Sequence, residues 1–475
     1  MPRLLAAIAL LSLCGGAVGL LSAQQGGPRQ VSLVVTGGTV VTVDGTHRVI
    51  PRGAVAVDGA EIVAVDAADA IGRQFKGSET IDATGQIVMP GLVNTHTHAP
   101  MVLYRGLADD LPLMEWLNKY IFPAEAKTVS PEFVRAGTRL AALEMIQSGT
   151  TTYTDMYYFE EEIAAVTKAA GLRGVLGQTI IQFPVADAKT PAEELTRTEA
   201  FLQQFAGDEL IVPAIAPHSM YTLDRATLRS VRALAVRTGA PVLIHLSETR
   251  DEMSTSQQKH KATPAAYLQA IGFWGPATAI GAGPRTLAAH GVWLTPGDMR
   301  ILARHHVGVS HNPESNMKLA SGAAKVVAMR GSGIAVGIGT DGAASNNDLD
   351  MFEAVRQAAL LAKLQTGDPR AVPARTALEM GTIEGARALG MEQTIGSLEP
   401  GKRADVITVS MAAARQTPLY DVMSHLVYTT RGDDVRNTIV NGRVLMRDRR
   451  VLTLDEAAVL TEARAFAEKV RAAVR

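Results

Sequence analysis

The feature that most constrains this chain is the regular alternation of short buried-looking strands with amphipathic helices through its middle. The stretch from Ser130 to Gln147 shows the helical half of the pattern. It has a Ser cap, Pro131 in the first turn, Phe133, Ala136, Leu140 and Leu143 on one face, and Gly149 just past the end. Strand, helix, strand, helix implies a parallel sheet. Eight strands are expected, over 87–95, 150–156, 173–180, 211–216, 241–244, 286–289, 307–310 and 333–339. Eight parallel strands with interleaved helices predict an α/β fold of the (β/α)8 TIM-barrel type.

The flanks have a different texture. Residues 31–89 read as short strands separated by Gly, Asp and Asn turns, and the same pattern returns in Ala404-Asp-Val-Ile-Thr-Val and around Asn437 to Leu445. Both termini are therefore expected to build one small β-sandwich, from 31–89 and from 393–475, with a barrel over 90–392 between them. A final helix from about Leu454 carries an Ala/Leu/Val stripe.

Met1-Pro-Arg3 followed by the apolar run Leu4 to Leu21, then Gln24-Gln-Gly-Gly-Pro28, reads as an export signal over 1–23 and a linker over 24–30. Cleavage after Ala23 is favoured over retention as a membrane anchor, and the expected location is periplasmic or extracellular. The single cysteine, Cys14, lies in this segment, and bulky Leu13 argues against lipidation there. The mature chain then has no thiol, so metal chemistry must use nitrogen and oxygen ligands. A net charge of −1 gives no basic surface for nucleic acid and points to a small-molecule substrate.

Barrel enzymes place their sites at the C-terminal strand ends. Of the chain's 11 histidines, six fall there: His96, His98, His218, His245, His290 and His311. The eighth strand end adds Asp341. In His96-Thr97-His98, residues two apart on a strand share a face and can grip one ion. His96, His98 and His245 with Asp341 suit one divalent metal, zinc first, with iron or manganese also fitting. Such an ion lowers the pKa of water from about 15.7 to about 7. No lysine stands at the fourth strand end to bridge a second ion. Glu248 reads as a further ligand, a salt-bridge partner or, most sharply, a proton carrier for a substrate ring nitrogen. His290 can hold the activated water, and Asp341 can shuttle its proton.

Asn94-Thr-His-Thr-His-Ala-Pro-Met101, Arg105-Gly-Leu-Ala-Asp-Asp-Leu111, Ala216-Pro-His-Ser219, His245-Leu-Ser-Glu248, Ser310-His-Asn-Pro313 and Gly339-Thr-Asp-Gly-Ala-Ala-Ser-Asn-Asn347 together resemble the amidohydrolase superfamily. Within it, the chain is similar to the 5-methylthioadenosine/S-adenosylhomocysteine deaminase group. The resemblance implies hydrolytic deamination of an adenine nucleoside at C6, with Glu248 protonating N1 and His290 and Asp341 moving the proton that releases ammonia. It implies that Glu125 binds the ribose hydroxyls, that His218 contacts the nucleoside, and that the chain forms a homo-oligomer. Gln178 occupies the third-strand position where some members carry a substrate-binding arginine, and Lys189 is the nearest cation in the loop that follows. The alternatives are a related hydrolase of a triazine, pterin or guanine, and a non-catalytic barrel subunit.

Overall fold

The computed structural model describes residues 27–274 and 285–474. The segment read as an export signal, with Cys14, lies outside the described residues. Eight parallel strands close into a barrel: β1 (Leu92–Thr97), β2 (Thr150–Tyr157), β3 (Arg173–Ile180), β4 (Ile211–Pro217), β5 (Val242–Leu246), β6 (Thr286–His290), β7 (Gly308–His311) and β8 (Val336–Ile338), with β8 returning to pair with β1. Helices follow the strands around the outside. The helix Pro131–Ser148 is built as its sequence requires. Ser130 Oγ accepts the Phe133 N–H at 3.2 Å, and Gly149 ends the helix at φ +87°.

Beside the barrel lie two further sheets. A seven-stranded sheet takes strands from both ends of the chain, with Gln86–Pro90 hydrogen-bonded between Val406–Ser410 and Thr39–Val41. A four-stranded sheet comes from residues 29–82 alone and includes Phe75–Asp82, which pairs parallel with Arg29–Thr36. Leu33, Val55, Val57, Val88, Val406 and Ile439 are buried in one cluster between the two sheets, which makes them a sandwich. The first strand starts at Arg29, inside the stretch read as a linker. The terminal helix, Glu456–Val474, packs on the barrel helix Pro131–Ser148, where Arg139 holds Glu462 with two hydrogen bonds at 2.9 and 2.7 Å.

One expected strand divides in two. The run 87–95 reads as a single barrel strand, but residues 86–90 belong to the sandwich and only 92–97 to the barrel. The break falls at Pro90-Gly91. Gly91 donates its N–H to the Asp405 carbonyl at 3.0 Å, and a Cβ there would collide with the Thr151 side chain, so only glycine lets the chain pass from one sheet to the other. The buried Arg173–Asp405 pair, at 3.1 and 3.2 Å, ties β3 to the same junction.

Candidate active site

Period-2 geometry places His96 and His98 on one side of the end of β1. The barrel brings His245 from β5 and Asp341 from just beyond β8 to the same point. Donor atoms of His96, His98 and His245 lie within 4.8 Å of one another, as do those of His96, His290 and Asp341. His96 Nε2 and His98 Nε2 each stand 3.4 Å from Asp341 Oδ1, and His98 Nε2 stands 3.4 Å from His245 Nε2.

The surroundings fix which nitrogen faces inward. His98 donates its Nδ1–H to the Met156 carbonyl at 2.7 Å, and His245 donates its Nδ1–H to the His218 carbonyl at 2.9 Å. Each ring is thereby held with its Nε2 lone pair toward the centre, the orientation metal-binding histidines take. His96 Nε2 is buried and makes no hydrogen bond. Lone pairs that converge with no proton between them repel, and a cation removes that repulsion. The donor set therefore fits a divalent ion. Burial lowers the His96 imidazole to about 4 and holds His245 well below its usual value, so both are neutral, as ligands must be. Burial pushes Asp341 up, but the imidazoles of His96, His290 and His98 outweigh it and keep the carboxylate ionised. Ser315 Oγ donates to Asp341 Oδ2 at 2.7 Å and the Gly342 N–H donates to Oδ1 at 2.8 Å.

His290 is set apart from the other rings. Its Nε2 lies 3.9 Å from both Glu248 Oε2 and Asp341 Oδ2. Burial opposes its protonation, but those two carboxylates prevail and raise it. Its Nδ1–H donates to Asn316 Oδ1 at 3.0 Å. His290 and Asp341 have φ of +73° and +66°, a region that costs non-glycine residues and recurs where side chains are aimed at a site. Glu248 is buried and raised, by burial first. Glu252 accepts the N–H groups of Ser247 and Glu248 at 3.0 and 2.8 Å and so fixes the turn that carries Glu248.

The centre opens into a cleft of about 600 Å³. His218 lines it, its ring centroid 4.7 Å from that of His245. Glu125, on the short helix Phe122–Thr128, lines it too. It is buried rather than at a surface helix start, accepts the Tyr157 hydroxyl at 2.7 Å, and is raised to about 7 by burial.

Gln178 and His311 stand away from the cleft. Gln178 does not line the cleft. It is fully buried on the outer side of β3, where its amide donates to Asp187 at 2.8 Å and its Oε1 accepts the Glu160 N–H at 3.3 Å. Alternation along the strand turns its neighbour Thr179 to the cleft instead. His311 is buried at the end of β7 but joins neither metal group nor the cleft lining. The sequence reading missed Tyr157, which holds Glu125, and Ser315 and Asn316, which hold Asp341 and His290. Asn316 follows the Ser310-His-Asn-Pro313 motif closely enough to have been a signal.

A parallel barrel with a sandwich from both termini, whose strand ends converge on three imidazoles and a carboxylate, defines a barrel hydrolase of the metal-binding type. The amidohydrolase family matches residues 87–445, and the chain belongs to that family. It is 43% identical over 445 residues to a 5-methylthioadenosine/S-adenosylhomocysteine deaminase of Syntrophobacter fumaroxidans, covering 94% of this chain and 100% of that one. It is 44% identical over 442 residues to a 5'-deoxyadenosine deaminase of Methanosarcina acetivorans, covering 92% and 98%. A crystal structure of an adenosine deaminase from Xanthomonas campestris with bound zinc superposes with a TM-score of 0.90 at 39% identity, covering 94% of this chain and 100% of that one.

Proposed function

We propose that this protein is a metal-dependent aminohydrolase of adenine nucleosides of the methylthioadenosine, S-adenosylhomocysteine, 5'-deoxyadenosine or adenosine type. The observation that carries the reading is the placement of His290 Nε2 at 3.9 Å from both Glu248 Oε2 and Asp341 Oδ2, beside the converging ligands. Two carboxyls and an imidazole around one point can move protons to two different atoms of a substrate ring. The deaminases to which the chain is more than 40% identical over nearly its full length support the substrate class.

His96, His98, His245 and Asp341 would hold the ion, zinc in this reading because a similar structure was solved with it. When bound, it supplies Lewis acidity that makes water a nucleophile at neutral pH. Glu248, whose carboxyl burial pushes above its usual range, gives its proton from Oε2 to ring nitrogen N1, which makes C6 electrophilic. As the C6–O bond forms, Asp341 takes up the proton that water releases. Asp341 and His290 then deliver that proton to the amino group, the C6–N bond breaks and ammonia leaves, and the proton of the new C6 hydroxyl returns to Glu248 as the ring takes its 6-oxo form. Glu125 accepts hydrogen bonds from the ribose hydroxyls, His218 contacts the nucleoside, and the apolar walls exclude water. The apolar N-terminal segment supports export, so this reading places the enzyme outside the cytoplasm.

The test is ammonia release, with the matching loss of adenine absorbance, when the metal-loaded protein meets methylthioadenosine, 5'-deoxyadenosine and adenosine. Release from at least one is expected. Ammonia obtained only from guanine, a pterin or a triazine would refute the substrate class while leaving the chemistry standing.

A further inference from the structure

Beyond Glu125 the cleft continues into a second hollow of about 540 Å³. Phe122, Glu125 and Tyr158 line both spaces, and Phe183, Pro184 and Val185 close the far side. Phe122 and Phe183 meet edge to face with centroids 5.3 Å apart. Among the described residues, no lysine or arginine lines either space, and residues 275–284 contain neither type. Several cations that neighbour the lining in sequence are occupied elsewhere. Lys318, beside Leu319, is bound to Asp109 and Asn347; Lys119 is bound to Glu115; Arg197 is bound to Glu161. Glu125 is the one carboxyl in the second hollow.

A nucleoside with its base at the metal ligands and its ribose hydroxyls on Glu125 must send its 5' substituent past Glu125. Along the described residues that line either space, that substituent meets mostly aromatic and aliphatic surface and no lysine or arginine side chain. An amino-acid tail would bring a carboxylate that no cation pairs and that Glu125 repels. Its ammonium could reach Glu125 only by competing with the ribose. Unpaired charge taken from water is costly, whereas a methylthio or methyl group gains from the same walls.

We infer that this site selects adenine nucleosides whose 5' substituent is uncharged and apolar, and discriminates against S-adenosylhomocysteine. The inference rests on the aminohydrolase reading above and narrows its substrate.

Three nucleosides separate charge from size: methylthioadenosine, 5'-propylthioadenosine, which keeps the thioether chain without ammonium or carboxylate, and S-adenosylhomocysteine. The measurement is kcat/KM by ammonia release on the metal-loaded wild-type protein. The two alkylthio nucleosides should agree within about threefold, and S-adenosylhomocysteine should fall at least about tenfold below them, a modest toll for an unpaired charge. Ala186→Arg, which adds a guanidinium to the second hollow, should raise the S-adenosylhomocysteine to methylthioadenosine ratio by about tenfold. Equal wild-type values for the charged and uncharged thioethers overturn the inference alone. A parallel drop for propylthioadenosine overturns it as well, because length rather than charge would then be rejected. No release from any of the three overturns this inference; if 5'-deoxyadenosine and adenosine also release nothing, the aminohydrolase reading falls with it.

Discussion

Replacing Glu248 by glutamine isolates the proton carrier from the metal ligands. The substitution keeps size and shape at a buried position and removes only the transferable proton. A positioned general acid contributes about 10²–10⁴ in rate, so kcat should fall by that factor, or about 3–5 kcal/mol of transition-state stabilisation. Metal content should not change, because Glu248 belongs to neither group of converging donor atoms. Thermal stability should hold or rise slightly, because burial already disfavours the ionised carboxylate and glutamine cannot ionise. The assay combines ammonia release at saturating nucleoside, metal analysis of the same preparation, and a melting curve. A kcat within about threefold of wild type would contradict the role assigned to Glu248, well short of the smallest expected loss. Loss of metal in step with activity would make Glu248 a ligand instead.

The remaining expectations concern the ligands, the ribose contact and the junction between barrel and sandwich. His245→Ala removes one of the three inward-facing imidazoles and should lower bound metal after gel filtration; full occupancy would disprove its role as a ligand. Glu125 must be ionised to accept two ribose hydroxyls, and its pKa is about 7, so KM should climb as pH drops below that value while Glu125→Gln shows a flatter profile. Because its folded pKa lies above the ordinary glutamate value, Glu125 also lowers fold stability as pH rises from about 4.5 to about 7, and Glu125→Gln should remove that slope in urea melts. A flat wild-type KM from about pH 5.5 to 7.5 would show that Glu125 does not accept those hydroxyls in its ionised form. Asp405→Ala strands the buried Arg173 guanidinium and should cost about 3–5 kcal/mol in urea unfolding; a loss under about 1 kcal/mol would show the pair to be dispensable.

The barrel was legible because its strands end in turn residues at helical spacing, and because His96-Thr97-His98 carries its strand geometry in two positions. His245, Glu248, His290 and Asp341 could be found by the same reading of strand ends. The division at Pro90-Gly91 could not, since both sheets bury their strands and the residues on either side are equally apolar. That Gln178 points behind β3 rather than to the cleft turns on strand parity, which sequence leaves open when both faces of a strand are buried. Tyr157, Ser315 and Asn316 act by holding other side chains, and such contacts depend on helices and turns whose relative placement no local pattern encodes. The polar network behind β3, joining Gln178, Asp187 and Glu160, depends on a loop for the same reason.

The seam at Gly91 has a consequence for biosynthesis. Met89, three residues before the first barrel strand begins at Leu92, pairs with Ile407, which is made only after all eight barrel strands. The sheet that anchors the segment leading to His96 is thus finished only after the whole barrel sequence has been made. A nascent chain arrested before residue 406 would expose that edge unpaired, open to wrong pairing until Val406–Ser410 has been made.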